Sequence, residues 1–257
     1  MKLATFNVNG IGARLPRLLD WLQSASPDVV GLQEIKTQTD NFPFDAIRAA
    51  GYHALVHGQK GFNGVAILSR EPATEVGRAL CGDSEDLQSR WIEAVVGGIH
   101  FACLYLPNGN PVPGPKFDYK LAWMDRLAAR AAELMATELP VVLAGDWNVC
   151  PTDLDVARPD QMAGDALLQP ESRARFRALA ASGWTDAVRA RSPHTPCYTF
   201  WDYQAGAWAR NWGLRIDHLL LSPAAADRLV NAGIDSEVRS AERASDHVPV
   251  WVELSAA

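Results

Sequence analysis

The sequence predicts an α/β domain in which two β-sheets pack together and helices cover them. Three observations carry that prediction. Residues 3–34 read strand, helix, strand; two strand pairs closed by glycine-containing turns follow; and a long amphipathic helix leads into a strand at Val141 that is apolar on both faces. β-α-β units and hairpins are thus interleaved. No stretch has linker composition, a charge run or a fixed repeat, so residues 1–257 are read as a single domain.

Leu3–Phe6 forms the first strand, followed at once by Asn7-Val8-Asn9-Gly10. Leu15, Leu18, Leu19 and Leu22 fall at helical spacing, which predicts a helix over Arg14–Ala25 with Pro16 in its first turn. Val29–Leu32 is the next strand and delivers Gln33-Glu34 at its carboxyl end. A short helix at Asp45–Ala50 stops at Gly51, and Tyr52–His57 and Val65–Ser69 are strands around the turn Gly58–Gly64. Gly97-Gly98 joins strands Trp91–Val96 and His100–Tyr105. Residues 106–115 hold too much proline and glycine for helix or strand, and Phe117–Ala136 is the long helix. After the Val141 strand, 152–170 reads mostly as loop and Glu171–Ser182 as a helix closed by Gly183. Tyr198–Trp201 and Arg215–Leu221 read as strands, Ala224–Leu229 as a helix and Val248–Leu254 as the closing strand.

With 257 residues and 48% hydrophobic content the chain can bury a substantial core. Its four cysteines are widely spaced with no C-x-x-C pair, which fits reduced thiols rather than a disulfide frame or a zinc site. The start, Met-Lys-Leu-Ala-Thr-Phe-Asn, turns polar too soon for a signal peptide, and no apolar run reaches membrane-spanning length. A cytoplasmic protein with no membrane partner is expected. The net charge of −6 argues against a nucleic-acid partner. A site that gathers carboxylates would carry part of that charge itself, and the local field rather than the total decides docking on phosphates.

In Val141-Val142-Leu143-Ala144-Gly145-Asp146-Trp147-Asn148, Gly145 is expected to let the backbone turn. Asp146 and Asn148 then emerge on one side if the chain is still extended. Alone, such a pair is ordinary turn chemistry. The pattern recurs, however: Asn7, Glu34, Tyr105, Asp146, Asn148, Asp217, Asp246 and His247 all stand at ends of apolar runs. Clustered carboxylates repel one another, so stability does not explain the arrangement. A cation does, and oxygen ligands favour Mg²⁺ or Mn²⁺ over zinc. Such an ion is typically used on phosphate esters.

The motifs NVNG at 7–10, LQEIK at 32–36, GQKG at 58–61 and GDWN at 145–148 resemble those of the exonuclease III family of abasic-site endonucleases. So do PTDLD at 151–155, GLRID at 213–217 and SDH at 245–247, and the resemblance runs in family order from residue 3 to 254. It implies a four-layer α/β sandwich, two mixed sheets face to face with helices outside, and divalent-metal hydrolysis of DNA phosphodiesters. The partner implied is double-stranded DNA with abasic sites or blocked 3′ ends, acted on by a monomer.

By matching motif, Glu34 is the principal ligand of Mg²⁺ (Mn²⁺ substituting), with Asn7 beside it and Asp246 acting directly or through water. Asp146, Asn148 and His247 border the same ion. His247, paired with Asp217, polarises the scissile phosphate; Asp146 orients or deprotonates the attacking water or, alternatively, protonates the leaving oxygen. Asn148 bonds the phosphate or the nucleophile, and Tyr105 either donates to a phosphate oxygen or acts as a phenolate. Without the resemblance, Tyr105 reads as a strand-end aromatic, Asp217 as a loop cap and His247 as a satisfied surface histidine.

Lys60, Arg90 and Lys116 are the candidate phosphate contacts, solvated charge being the competing reading for each. Phe200, Leu214 and Ile216 match positions that line a small pocket for a baseless sugar, which selects by size. Trp201 reads better as a core aromatic. The chain departs from the best-known bacterial members at Arg158–Gln169, which is shorter and less basic and aromatic, and at Trp208–Asn211. Two other functions are consistent with the fold: a non-catalytic regulator, against which the intact set of polar residues argues, and a superfamily phosphatase.

Overall fold

The computed structural model describes residues 1–256. The first half of the chain runs β1 (Lys2–Asn7), α1 (Ile11–Ala25), β2 (Val29–Gln33), α2 (Phe44–Ala49), β3 (His53–His57), β4 (Val65–Ser69), β5 (Thr74–Gly77), β6 (Trp91–Val96) and β7 (Ile99–Tyr105). The second half runs α3 (Pro115–Met135), β8 (Val141–Asp146), α4 (Pro170–Ala181), β9 (Thr185–Asp186), α5 (Ala187–Arg191), β10 (Asp217–Leu221), α6 (Pro223–Ala226), β11 (Leu229–Ile234) and β12 (Val250–Leu254). Two six-stranded mixed sheets result, ordered β11-β12-β1-β2-β4-β3 and β5-β6-β7-β8-β10-β9.

Alternation along the central strands explains the layers. Leu3, Val29, Ile67, Phe101, Val142, Ala144 and Leu219 face inward and form the core between the sheets. Their neighbours Ala4, Val30 and Leu68 face outward, beneath Leu18, Trp21 and Leu22 of α1. On the other side Ala102, Leu143 and Leu220 pack under Trp123 and Leu127 of α3 and Phe176 of α4. Helix, sheet, sheet, helix is the predicted order of layers. Among the described residues no helix is long and apolar enough to cross a membrane.

Several local expectations are corrected. α1 starts at Ile11, not Arg14, so Pro16 lies in its second turn and removes one helix hydrogen bond. Tyr198–Trp201 is not a strand; Phe200 makes only isolated bridges to Leu214 and His247. The helix expected at Ala224–Leu229 ends at Ala226, and Leu229–Ile234 is a strand. β5 and β11 are edge strands with mostly exposed or half-buried residues, so they carry no burial pattern to read. Gly145 is not a turn residue. It lies inside β8, where an added Cβ would stand 2.0 Å from the Leu104 carbonyl oxygen of β7. Close approach of two backbones, not backbone freedom, requires glycine there.

A buried ionic cluster ties β10 to the segments behind it. Arg215 donates through Nε to Asp155 at 2.7 Å and through Nη1 to Asp186 at 2.8 Å. His218, fully buried, meets Arg215 Nη1 at 3.0 Å through Nδ1 and the Val149 carbonyl at 2.9 Å through Nε2. Burial, helped by the Arg215 charge, pushes the His218 pKa down from 6.5 to about 4. The unfolded chain therefore takes up a proton below pH 6.5 that the folded protein refuses until about pH 4. Stability is expected to fall across that window by roughly 3 kcal/mol. Urea midpoints between pH 7 and 5 should show the slope, and His218→Asn should flatten it; an unchanged slope would exclude His218 as its source.

Candidate active site

Strand register assembles the site. β1 and β2 run parallel with Asn7 beside Gln33, so Asn7 and Glu34 leave the first sheet at one end. In the second sheet Asp146 is paired with Tyr105 on one side and Asp217 on the other. Those three residues form a row across β7, β8 and β10. Ser245-Asp246-His247 enters β12 and closes the cleft between the two sheets. Two of the expected site residues carry left-handed backbone, Glu34 at φ 49° and Asn148 at φ 45°. Non-glycine residues held there are strained, and such strain clusters at functional sites.

The hydrogen bonds are continuous. Asn7 Nδ2 donates to Glu34 Oε1 and to Asp146 Oδ2, each at 2.9 Å, and thereby bridges the two sheets. Its Oδ1 accepts from the Asn9 N–H at 3.0 Å, so the carboxamide oxygen is turned away from the carboxylates. Glu34 Oε2 meets Lys36 Nζ at 2.8 Å. His247 Nδ1 lies 2.9 Å from Asp217 Oδ2, and its Nε2 points at Asp146 Oδ2 from 3.8 Å. Asp217 is itself held by the Thr199 hydroxyl at 2.6 Å. Ligand atoms of Glu34, Asp146 and His247 all lie within 4.8 Å of one another.

Electrostatics divides these groups. Burial disfavours the His247 cation, but Asp217 and Asp146 outweigh it and raise its pKa, so the imidazole is held protonated with Nε2–H facing the cleft. Burial raises the Asp146 carboxyl; His247 opposes, while Asp217 and Glu34 push it further up. Glu34 goes the other way: burial raises it, and the bonds from Lys36 and Asn7 more than compensate and keep it ionised. Burial and the charges of Glu34 and Asp146 hold the Tyr105 phenol well above 10, which makes it a donor and leaves the phenolate role without support.

Asn148 bonds backward: its N–H donates to Asp146 Oδ1 at 2.9 Å, Nδ2 donates to the Leu106 carbonyl at 2.9 Å, and Oδ1 accepts from Asn108 Nδ2 at 3.1 Å. One Nδ2 hydrogen is left for a ligand. Asp246 is outside the three-residue cluster and accepts from Asn9 Nδ2 at 2.9 Å, where Lys36 also bonds Asn9. Arg90 stacks 4.8 Å above the Tyr105 ring, and both line a cavity of about 510 Å³ with Lys116 and Asn108. Lys60 is exposed and does not line it.

Phe200 stands 4.9 Å from the His247 ring and, with Leu214, Met162 and Trp212, lines a second cavity of about 380 Å³. Ile216 is not part of that lining; it is buried against Phe117, Cys150 and Val156. Trp201 is in the core, 3% exposed. Two further cavities, about 500 Å³ at α2 and β3 and about 690 Å³ beside the termini, lie away from these groups.

Thr199, Asn9, Lys36 and Ser245 were not among the expected site residues. Ser245 Oγ donates to the Asn7 carbonyl at 2.8 Å and locks the last motif onto the first. Asn9, Lys36 and Ser245 lay inside the sequence motifs, so their signal was positional. Thr199 offered none, because its role depends on where Asp217 lands.

Comparison with known proteins decides what this constellation belongs to. The model of the endonuclease/exonuclease/phosphatase family matches residues 4–247. The chain belongs to this family. Exodeoxyribonuclease III of Haemophilus influenzae is 34% identical over 266 residues, covering 99% of this chain and 100% of that protein. An AP endonuclease from Archaeoglobus fulgidus has the same fold, with a TM-score of 0.94 and 35% identity over 100% of both chains. A 3′ phosphatase from Neisseria bound to a product DNA hairpin matches at TM-score 0.95 and 38% identity over 99% of both. The family match spans both sheets and every motif from Asn7 to His247.

Proposed function

We propose that this protein is a divalent-metal-dependent DNA repair nuclease. It hydrolyses the phosphodiester 5′ to abasic sites and removes nucleotides or blocking groups from 3′ ends of duplex DNA, acting as a single-domain cytoplasmic monomer. The observation that carries the reading is the cluster of Glu34, Asp146 and His247, contributed by both sheets and backed by the Asp217–His247 pair. The names of the relatives support the DNA substrate, and the 3′ phosphatase supports end processing.

A hard cation fits the site. A half-buried and a buried carboxylate share one carboxamide donor, Asn7, and Asp146 is driven up partly by its carboxylate neighbours, a repulsion that positive charge would relieve. Glu34 and Asp146 would hold it, with Asp246 linked to Glu34 through Asn9 and Lys36. Mg²⁺, with Mn²⁺ substituting, would neutralise charge on the phosphate. Asp146 takes the proton of the attacking water as general base. His247 Nε2–H, the Tyr105 hydroxyl and the free Asn148 Nδ2 hydrogen donate to phosphate oxygens as charge develops. Asp217 and Thr199 fix the imidazole's tautomer and orientation. Arg90 and Lys116 hold the flanking strand by its phosphates, while Phe200 and Leu214 receive the extruded sugar.

The test is a gel assay on duplex DNA with one tetrahydrofuran site. Incision is expected with Mg²⁺ and none with EDTA. An intact duplex in Mg²⁺ and Mn²⁺ would overturn the reading in favour of a regulator, and hydrolysis of an inositol phosphate instead would move the chain to the phosphatases.

A further inference from the structure

Lys120 is a lysine with no exposed surface. It follows Phe117 and precedes Trp123, Met124 and Leu127 on the buried face of α3, where an apolar residue is expected. Its Nζ donates to the carbonyl of Asn108 at 3.0 Å and to that of Asn148. Burying an ammonium is costly unless its hydrogens are used. Here they hold two loops, one after β7 and one after β8.

Those loops are joined by side chains as well. Asn108 Nδ2 donates to Asn148 Oδ1, and Asn108 Oδ1 accepts from Asn110 Nδ2 at 2.9 Å. Asn110 in turn donates to Asp165 Oδ1 and accepts from the Ala166 N–H, each at 3.0 Å. The loop also lies close on the lysine: a Cβ at Gly109, which has φ +92°, would meet Lys120 Cδ at 2.6 Å. Asn148 Nδ2 is thus aimed by a ladder of amides, and Lys120 fixes the backbone on which two of its rungs are mounted.

We propose that Lys120 is a positioning residue: by clamping the carbonyls of Asn108 and Asn148 it holds the Asn148 carboxamide toward the scissile phosphate. This rests on the reading of Asn148 as a phosphate donor. Lys120→Met removes the clamp and keeps the side-chain volume. It is expected to lower kcat on the tetrahydrofuran duplex about tenfold or more, with KM little changed, as misplacement of a transition-state group does. In an Asn148→Ala background the same substitution should cost less than about twofold, because a residue acting through Asn148 has nothing left to position.

Independent, multiplying losses would overturn the proposal. A second readout needs no activity: Lys120→Met should speed amide exchange of residues 108–110, and unchanged exchange would overturn the clamp. If wild type does not cleave DNA, the functional reading fails while exchange still decides the clamp. Should Lys120→Met not fold, Asn108→Ala removes the amide rung alone. The same non-additivity with Asn148→Ala is then expected, and its absence again counts against the ladder.

Discussion

Asp146→Asn is expected to lower kcat on abasic-site DNA by at least about 10²-fold, the size of effect seen when a general base or oxyanion partner is lost. The amide oxygen still accepts from the Asn148 N–H, and only the bond from Asn7 Nδ2 to the second oxygen is given up. What it loses is the basic oxygen facing His247 Nε2. Stability should move the opposite way. Burial, Asp217 and Glu34 raise the Asp146 pKa, so ionising it at neutral pH opposes folding. The neutral isostere should therefore unfold at equal or higher urea than wild type when both are measured in EDTA. His247→Asn should show a kinetic loss of similar size. Normal turnover in Asp146→Asn would remove that carboxylate from the mechanism, and a joint fall in activity and stability would make its role structural.

The sequence disclosed what local rules govern. Buried strands announce themselves by apolar runs, and the ends of those runs carried Asn7, Glu34, Asp146, Asp217 and His247, whose side chains share one cleft. Edge strands such as β5 and β11 have no such signature, since water on one face and a free edge relax the composition. Roles were harder to read than places. Asn7 and Asn148 were expected beside an ion, and in the structure each side-chain oxygen accepts one hydrogen bond from a neighbour, Asn9 N–H and Asn108 Nδ2. Which end of a carboxamide faces a site is set by tertiary partners that no spacing reveals. Ile216 shows the same limit: alternation around Asp217 was visible, but the side facing the core was not. Lys120 was legible in principle, as a charge on an apolar helical stripe.

Arg215→Met is expected to destabilise the protein by roughly 3–5 kcal/mol, because removing one partner leaves buried charge uncompensated. Arg215 is 1% exposed and is the common donor to Asp155 and Asp186. Asp155 has no exposed surface, and although burial would raise its pKa, Arg215 holds it down at about 2. Its share of the stability is thus present above its ordinary carboxylate range and lost as pH falls through about 2. Without that guanidinium Asp155 keeps only Arg189 and Thr152 as donors and Asp186 loses its guanidinium partner, so acid unfolding should begin at higher pH. Arg175→Met offers the contrast. Arg175 pairs with Asp125 on the surface, at 2.7 Å but with the Asp125 side chain 59% exposed. Its loss should stay below about 1 kcal/mol. Urea unfolding of the two variants at pH 7, at equal m-value, separates the cases. The cluster matters to catalysis only through position: Arg215 lies two residues before Asp217, and His218 ties the same strand to the Val149 carbonyl just past Asn148. An Arg215→Met protein that is fully folded at low temperature but slow would mean that the ionic cluster aligns the β8–β10 row; one that is folded and fully active would confine the cluster to stability.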